Sequence, residues 1–563
     1  MPIISGSAAL GSKQLSSRWR SCLHSLLSVE NGLIVLFFGL GLLGILNHEI
    51  WRDEAQAWLI ARDSTSLIDL YKNTRYEGHP LLWHACLFLI TRWTHNPLAM
   101  QGFHLLLAVG SVVLIVKKSP FSIIQKGLLS FSYLLFYEYS VISRNYAIGI
   151  FLIFLFCAFY ARRKPAYWLL SLVLALIANT NAFGFLISFT LASVMLFRLK
   201  SESKPSQTTS PHVLQVPMNK ALSTTAILIA GWGCSLLQLT RIVALPKTDS
   251  PLEVAQVPDS VSNSLSEVTV ERVEQAITLV NKITGLVEPF SRAYFPMVRP
   301  KMHFWTTHLL TDPEGVGTIS GLEIGNLVAV CLAAGIVFLM LKALSKTPLY
   351  LWLYLSASLV LYSFFVLVYR GGPRHNGHLM IVLIVSLWLA TWSTHRKEAR
   401  LRDFSARAKR PIVGGLLLTT LLFFQCVSSV QAYTIDMIYP FSASRAIAQY
   451  IQIHQLEDLP LFAQNGRLMT GLISYLETDA YYAQANRYAS FANILYNTEK
   501  ETSEIVTANV EKFAQQQPEF LIVSINPIDF SALENEVLLL TKVEETIVRS
   551  ERMYLYKADF SSR

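Results

Sequence analysis

The chain has 563 residues, of which 52% are hydrophobic and only 15% are charged. Soluble domains carry about a quarter charged residues, so this composition excludes an ordinary soluble enzyme and indicates a protein that resides in lipid. The formal net charge of +9 does not indicate nucleic-acid binding, because the lysines and arginines fall in short runs between apolar segments, as in membrane proteins whose orientation they set.

Apolar segments recur along the chain, and a spanning helix needs roughly 20 mainly apolar residues. The first segment follows a basic N-terminus and has no small-residue cleavage site after it, so it is predicted to be a retained signal-anchor helix. The eleven predicted spans are 30–47, 98–116, 122–138, 145–161, 166–180, 182–198, 221–240, 325–342, 348–369, 377–394 and 411–431.

The short apolar segment 79–93 could cross the membrane or lie on its surface, because it holds two histidines and an arginine. The basic connectors decide between these alternatives. If 79–93 stays on the outer surface, every strongly basic connector is cytoplasmic, as the positive-inside rule requires; if it crosses, the rule fails repeatedly along the chain. We therefore predict about eleven spans, with 48–97, 241–324 and the C-terminus outside.

The predicted fold class is an all-α polytopic membrane protein with a small extracytoplasmic α/β domain at its C-terminus. Residues 1–431 form the membrane domain in this prediction, and residues 432–563 form the α/β domain. Within the latter, the apolar runs at 520–524 and 553–556 are typical of strands, and 503–517 has the pattern of a helix.

Two charged motifs lie in the first predicted outer loop. Asp53 and Glu54 follow the first span closely, where they either take part in chemistry or simply cap a helix that starts at Ala55. Glu77 lies two residues before His79, ahead of a proline. The charge of an imidazole changes near neutral pH, and a nearby carboxylate would raise its pKa. The alternative at this motif is an ordinary Gly-Pro turn that opens an interfacial helix.

Two further polar clusters lie at predicted outer ends of later spans. Glu138 and Arg144 flank the exit of the third span, where ionisable residues pair or line a polar cavity. They either pair with each other or leave Arg144 to face a phosphate, which its planar fork suits. The run RGGPRH at 370–375 sits at an outer exit, where positive-inside statistics disfavour arginine. An anionic ligand would explain this run, and the alternative is that its arginines snorkel to outer headgroups.

Together these motifs resemble the GT-C glycosyltransferases, and within them the branch of the protein O-mannosyltransferases and the lipid A aminoarabinose transferase. The matching residues are RDEA at 52–55 after the first span, GHPLLW at 78–83 in the same loop, and SRNYA at 143–147 after the third span. The likeness covers roughly the first 200 residues well, and the later spans match in layout. This chain departs from the family in having one proline rather than a pair after His79, and a Glu-Tyr in place of the acidic pair in the second loop.

The resemblance implies a donor in which a sugar is linked to a polyprenyl phosphate, used at the outer face of the membrane on a lipid, glycan or protein acceptor. Asp53 would be the main catalytic carboxylate, and Glu54, Glu77 and His79 would shape the acceptor side. Arg144, with Arg370 or Arg374, would hold the leaving phosphate. Glu138 would be a second acid near any metal, and the remaining expected substrate-binding residues are Tyr146 and His375. A divalent cation held by Asp53 and Glu138 is left open, and no other cofactor is expected.

The predicted function is therefore an integral membrane glycosyltransferase in the bacterial plasma membrane, with its active site on the extracytoplasmic side. A single carboxylate without a nucleophilic partner indicates one displacement, hence inversion at the anomeric carbon. One alternative is a transporter or flippase of a lipid-linked anionic glycan, which would favour repeated halves and interrupted spans that the sequence lacks. Another is a catalytically inactive scaffold whose outer C-terminal domain binds a partner.

Overall fold

The computed structural model describes residues 28–202, 218–240, 265–312, 318–319, 322–400, 412–463, 466–492, 502–533 and 535–562. The predicted basic N-terminus and parts of the predicted outer loop 241–324 lie outside these residues. In chain order, the helices are α1 (Val29–Asn47), α2 (Arg52–Asp63), α3 (Leu67–Asn73), α4 (Leu82–Thr91), α5 (Leu98–Lys118), α6 (Ile123–Ser130), α7 (Tyr146–Tyr160), α8 (Tyr167–Ala178), α9 (Ala182–Glu202), α10 (Met218–Leu239), α11 (Leu265–Gly285), α12 (Glu288–Tyr294), α13 (Ile324–Leu344), α14 (Pro348–Leu367), α15 (Pro373–Asn376), α16 (His378–Arg400), α17 (Ile412–Ile438), α18 (Ser444–Ile453), α19 (Gly466–Leu476) and α20 (Ser503–Ala514). The strands are β1 (Thr318–Ile319), β2 (Leu322–Glu323), β3 (Leu461–Ala463), β4 (Ala480–Tyr482), β5 (Arg487–Ala489), β6 (Glu519–Ser524), β7 (Val537–Val543) and β8 (Met553–Asp559).

Eight helices of the described chain are long and apolar enough to cross a membrane. They lie at Val29–Asn47, Leu98–Lys118, Ala182–Glu202, Ala221–Leu239, Ile324–Leu344, Pro348–Leu367, Pro373–Arg396 and Val413–Ile438. Each coincides with one of the predicted spans, so the expected polytopic fold is confirmed. The chain is an integral, multi-pass membrane protein.

The other three predicted spans are helical but short. The predicted fourth and fifth spans are α7 and α8, which have 15 and 12 residues. The predicted span 122–138 divides into α6 and a π-helix at Tyr133–Val141. At this junction the hydroxyls of Ser130 and Ser132 bond back to backbone carbonyls at 2.8 Å, which competes with regular helix continuation. All nine residues of the π-helix are buried, so this segment lies inside the bundle rather than facing lipid.

The segment 79–93, which the charge pattern places on the membrane surface, contains only the ten-residue helix α4. At 1.5 Å per residue this helix is about 15 Å long, roughly half of the hydrocarbon thickness, and is too short to cross. Arg92 at its end donates to the carbonyl oxygens of Ala61 and Arg62 at 3.2 and 2.6 Å, which ties α4 to α2. Both loop helices share one hydrophobic core with the bundle, in which Trp58 is fully buried.

The C-terminal part contains a six-stranded mixed sheet in the order β5-β4-β3-β6-β8-β7. Strand β3 pairs in parallel with β4 and β6, and the remaining pairs are antiparallel. The predicted strands at 520–524 and 553–556 are confirmed as β6 and β8, and the predicted helix at 503–517 as α20. Helix α17 continues to Ile438 before α18 begins, and the domain division at 431/432 stays a prediction.

The C-terminal part is hydrogen-bonded to the end of the first span. Arg445 of α18 donates to the carbonyl oxygens of Asn47 and His48 at 3.1 and 2.8 Å. The backbone N–H of Ile50 donates to the hydroxyl of Tyr475 at 3.0 Å. Helix α19 packs along α2. The C-terminal part therefore fixes the start of the first loop, where the predicted acidic motif lies.

Candidate active site

Polar residues from four parts of the chain meet in one cavity of about 410 Å³. The residues predicted from the sequence that line it are Asp53, Glu77, His79, Arg144, Tyr146, Arg374 and His375. The structure thus brings together residues from the first loop, the start of α7 and the turn before α16. Three other predicted residues, Glu54, Glu138 and Arg370, lie outside the lining.

Asp53, in the first turn of α2, faces two arginines. Its Oδ2 lies 3.4 Å from Nη2 of Arg374 and 3.7 Å from Nη1 of Arg144, and Arg144 also donates to the backbone carbonyl of Asp53 at 2.5 Å. The carboxylate is 35% exposed, whereas each arginine side chain is only 13% exposed. Nε of both arginines and Nη1 of Arg374 are buried without a hydrogen-bond partner among the described residues. Buried donors without acceptors are costly, so this pair of cations favours an anion in the cavity.

Two aromatic rings hold the guanidinium of Arg374. Its central carbon lies 5.2 Å from the ring centroid of Trp51 and 4.9 Å from that of Trp305, within the range of cation–π attraction. Trp51 precedes α2 and Trp305 follows α12, so two loops distant in the sequence fix one arginine.

A turn formed by Gly371 and Gly372 places Arg374 at the cavity. Gly371 has a φ of +66°, and a Cβ at this position would lie 2.8 Å from the Cβ of His375, so the turn needs glycine here. The backbone N–H of Gly372 donates to Nδ1 of His375 at 2.8 Å. Tyr139 of the π-helix donates its hydroxyl to the carbonyl of Arg374 at 2.6 Å. The glycines therefore build the short helix α15, on which both Arg374 and His375 are placed.

His79 lies in the cavity wall, and its pKa lies well below the usual value. The main cause is burial, and the positive charges of Arg144 and Arg374 act in the same direction. The expectation that Glu77 raises this pKa is therefore wrong, because burial has the largest effect and lowers it. Burial and Arg144 likewise lower the pKa of His84 to about 3. Both imidazoles are neutral at pH 7 and can act as hydrogen-bond partners rather than as charges.

Glu54 is fully buried beside the cavity rather than in its lining. Its Oε1 accepts the backbone N–H of Ser143 at 2.5 Å, and its Oε2 accepts that of Trp51 at 3.3 Å. Nε2 of His48 lies 3.2 Å from Oε2 of Glu54, and Nδ1 of His48 lies 2.9 Å from Oδ2 of Asp436. Burial alone would lower the pKa of His48, but the two carboxylates outweigh it and raise the pKa to about 10. Glu54, His48 and Asp436 thus form a buried network of charged side chains that joins the first loop to α17.

Glu138 and Arg370 are separated from the cavity in different ways. Glu138 is buried in the π-helix. The Arg370 side chain is 72% exposed and pairs with Glu288 at 3.2 Å. The Glu138–Arg144 pair that the sequence offers as an alternative does not form, since Arg144 pairs with Asp53 instead.

The candidate ligands of a divalent cation, Asp53 and Glu138, are both engaged by protein groups. Asp53 pairs with two arginines, and Glu138 accepts the hydroxyl of Tyr133 at 2.7 Å. No group of three or more His, Cys, Asp or Glu side chains in the described part of the chain could hold a metal ion. Divalent cations take several oxygen ligands, so these residues do not fit as a metal site. No step below uses a divalent cation, and metal dependence is tested below.

The cavity also contains residues that the sequence did not single out, among them Gln56, Thr470 and Ala492. Gln56 lies three positions after Asp53 on α2, and residues at this spacing share a helix face, so helical periodicity could have found it. Thr470 and Ala492 come from the C-terminal part, and no motif in the sequence connects them with the first loop.

No protein-family model and no curated protein matches the sequence. Among solved structures, the crystal structure of ArnT from Cupriavidus metallidurans in the apo state matches with 13% identity and a TM-score of 0.40, over 95% of this chain and 99% of ArnT. The crystal structure of the same ArnT bound to undecaprenyl phosphate matches with 13% identity and a TM-score of 0.39, over 93% and 98% of the two chains. ArnT is a lipid A aminoarabinose transferase of the GT-C fold, the branch that the sequence motifs resemble. At this identity and TM-score the likeness assigns no activity, which has to rest on the geometry of this chain.

Proposed function

We propose that this chain is a glycosyltransferase that moves a sugar from a polyprenyl phosphate to an acceptor hydroxyl at the extracytoplasmic face of a bacterial plasma membrane. The observation that carries the proposal is the placement of the Asp53 carboxylate against two mostly buried arginines, Arg144 and Arg374, in one cavity. Such a transfer needs a base for the acceptor hydroxyl and positive charge for the leaving phosphate, and this cavity offers both.

In the proposed reaction, the acceptor oxygen attacks the anomeric carbon while the bond from that carbon to the phosphate oxygen breaks. Asp53 takes the hydroxyl proton in the transition state, since a positioned carboxylate makes a poor nucleophile more reactive. The polyprenyl phosphate departs with the electron pair of the broken bond, and Arg144 and Arg374 neutralise its charge. A single displacement inverts the configuration at the anomeric carbon.

The aromatic side of the cavity suits the lipid portion of the donor. Phe183 of α9, Phe364 of α14 and Tyr369 line this side, and α9 and α14 have the length and composition of membrane spans. A polyprenyl chain that approached between these helices could bring its phosphate to the arginines while its hydrocarbon stayed in apolar surroundings.

The charge asymmetry of the connectors supports the extracytoplasmic side. Helix α5 ends in Lys117 and Lys118, and the basic run 162–164 follows α7. The cavity residues lie at the opposite ends of these helices, before the start of α5 and at the start of α7. The positive-inside rule favours a cytoplasmic position for the basic ends, which supports an extracytoplasmic position for the cavity.

Two of the predicted site residues receive supporting roles in this proposal. Glu54 acts as a positioning residue, because it holds the backbone at Trp51 and Ser143 next to Asp53 and Arg144. His79 acts as a neutral hydrogen-bond partner in the wall of the cavity.

The test uses the full chain in proteoliposomes with radiolabelled undecaprenyl-phosphate hexose or pentose and a short-chain alkyl glycoside as acceptor. Asp53→Asn is expected to lower sugar transfer about 10²–10⁴-fold, the usual contribution of a general base. Asp63→Asn, the same substitution at the other end of α2, is the matched control and should transfer like the wild type. Unchanged transfer in Asp53→Asn would remove Asp53 from the reaction. A wild type that moves labelled lipid across the bilayer without consuming it would be a flippase, and the enzyme proposal would be wrong.

Metal dependence is tested in the same assay. Because the described residues provide no ligand set for a cation, we expect transfer to continue in EDTA. A loss of transfer that Mg²⁺ or Mn²⁺ restores would contradict this expectation.

A further inference from the structure

The C-terminal part contributes two residues to the cavity wall beside the first loop. Thr470, on α19, is buried and its hydroxyl donates to the backbone carbonyl of Arg52 at 3.1 Å. Ala492 follows the sheet strand β5, and both residues line the cavity. Since α19 packs along α2, the helix that carries Asp53 has the C-terminal part as its neighbour.

Gln56 joins the C-terminal part to the first loop through both ends of its amide. Its Nε2 donates to the carbonyl of Ala492 at 2.7 Å, and its Oε1 accepts the backbone N–H of Ala492 at 3.0 Å. The same Nε2 donates to Oε1 of Glu77 at 3.0 Å. One side chain on the face of α2 that carries Asp53 therefore sets the positions of a carboxylate and of a C-terminal backbone segment.

The walls of the cavity differ in chemistry. The spans α9 and α14 contribute aromatic rings, whereas the first loop and the C-terminal part contribute Gln56, Glu77 and Thr470. Apolar walls suit a lipid chain, and a wall of amide, carboxylate and hydroxyl groups suits a ligand rich in hydroxyl groups, because each of its hydroxyls both donates and accepts hydrogen bonds.

We infer that the polar wall, formed by Gln56, Glu77, Thr470 and Ala492, is the acceptor subsite, and that it takes a hydroxyl-rich head group such as a sugar. This inference rests on the proposed glycosyltransferase function. Glu77 contacts the acceptor, and Gln56 is a positioning residue that holds Glu77 and Ala492 in place. The C-terminal part is then half of the acceptor subsite rather than a separate binding module.

The experiment compares two acceptors that differ only in the head group, hexyl glucoside and 1-hexanol, with undecaprenyl-phosphate hexose or pentose as donor and water as the background acceptor. The wild type should prefer hexyl glucoside. Gln56→Leu should raise the KM for hexyl glucoside about tenfold or more, because a tenfold change corresponds to the loss of one or two hydrogen bonds. The KM for the donor and the rate of donor hydrolysis by water should stay within about twofold of the wild type. Gln452→Leu, an exposed position on α18, is the matched control and should behave as the wild type.

Two variants keep the inference testable if Gln56→Leu folds poorly. Glu77→Gln removes the carboxylate while keeping its shape and should raise the same KM selectively. Thr470→Val removes the hydroxyl and should do so more weakly. An unchanged preference for hexyl glucoside in the folded variants, or an equal rise of the donor KM, would overturn the acceptor subsite. A wild type that consumes no donor even with water would instead refute the proposed function.

Discussion

Glu54→Gln is the substitution that best separates a buried positioning carboxylate from its catalytic neighbour. The two oxygens of Glu54 accept the backbone N–H groups of Ser143 and Trp51 and face the charged ring of His48. Asp53, one residue earlier, is partly exposed and pairs with two arginines of the cavity. We therefore expect Glu54→Gln to lower the stability more than the transfer rate, and Asp53→Asn to lower the transfer rate more than the stability.

The magnitude follows from counting donors and charges. A glutamine amide has one oxygen and one NH₂ group, so at least one of the donors at Glu54 would face another donor, which costs about 1–3 kcal/mol. The loss of the negative charge also weakens the pair with His48. Removing one partner of a buried pair costs about 3–5 kcal/mol, but His48 keeps Asp436 at 2.9 Å. We expect a total destabilisation of about 3–5 kcal/mol.

Asp53→Asn should lower sugar transfer strongly and the stability little. Its carboxylate is 35% exposed and its nearest arginine nitrogen is 3.4 Å away, so the ion pairs contribute about 0–1 kcal/mol to stability. Sugar transfer should nevertheless fall about 10²–10⁴-fold. Glu54→Gln should lose transfer only in part, through the displacement of α2.

The assay is thermal unfolding in one detergent at one scan rate, together with transfer rates in proteoliposomes, for the wild type and both variants. Glu54→Gln should unfold at a clearly lower temperature, and Asp53→Asn should unfold within a degree or two of the wild type. If Glu54→Gln unfolded like the wild type but lost transfer as fully as Asp53→Asn, the buried positioning role would be refuted and Glu54 would belong to the reaction itself.

Three other substitutions test the surroundings of the site. Burial raises the pKa of the Glu551 carboxyl to about 7, although Arg52 acts in the opposite direction. The folded state therefore binds the carboxyl proton more tightly than the unfolded state. The stability that this proton contributes is complete below about pH 4.5 and is lost as the pH rises through 7. The thermal stability should therefore fall over this range, and Glu551→Gln should flatten the curve; an equally steep curve in the variant would contradict the assignment. Gly377→Ala places a Cβ 2.6 Å from the hydroxyl of Tyr139 and should cost about 1–3 kcal/mol by overpacking, measured as a lower unfolding temperature, which an unchanged temperature would contradict. Arg370→Gln should retain wild-type transfer because Arg370 lies outside the cavity, and a loss of transfer comparable to that of Asp53→Asn would show that it reaches the substrate.

Much of the membrane fold could be predicted because lipid imposes strong sequence rules. Eight spans are visible as long apolar runs, and α4, which the charge pattern places on the membrane surface, is a helix of only ten residues. The division of 122–138 could not be predicted from hydropathy. It depends on two serine hydroxyls that bond to the backbone, and on a π-helix whose burial comes from packing against α17.

The site residues that could be predicted are those that belong to short charged motifs beside apolar spans. Asp53, Arg144 and Arg374 each stood out as a charge near the end of an apolar span, and the structure brings all three together. The links that hold them were not visible, since His48 is joined to Asp436 only by the fold. Thr470 was equally hidden, because a threonine in a helix of the C-terminal part carries no local signal of a cavity.

Arg374 and Arg370, which the sequence motif does not distinguish, differ in how far their side chains are buried. Arg374 and Arg370 lie four residues apart in one motif, and both break the positive-inside pattern in the same way. The Arg374 side chain is 13% exposed, between Trp51 and Trp305, whereas the Arg370 side chain is 72% exposed. The aromatic faces of Trp51 and Trp305 hold the mostly buried guanidinium of Arg374 by cation–π attraction, and the partly exposed carboxylate of Asp53 lies 3.4 Å from it. Water can solvate Arg370 without any such arrangement. The position of an arginine relative to distant aromatic rings, rather than its neighbours in the motif, therefore determines whether it can hold a phosphate in this cavity.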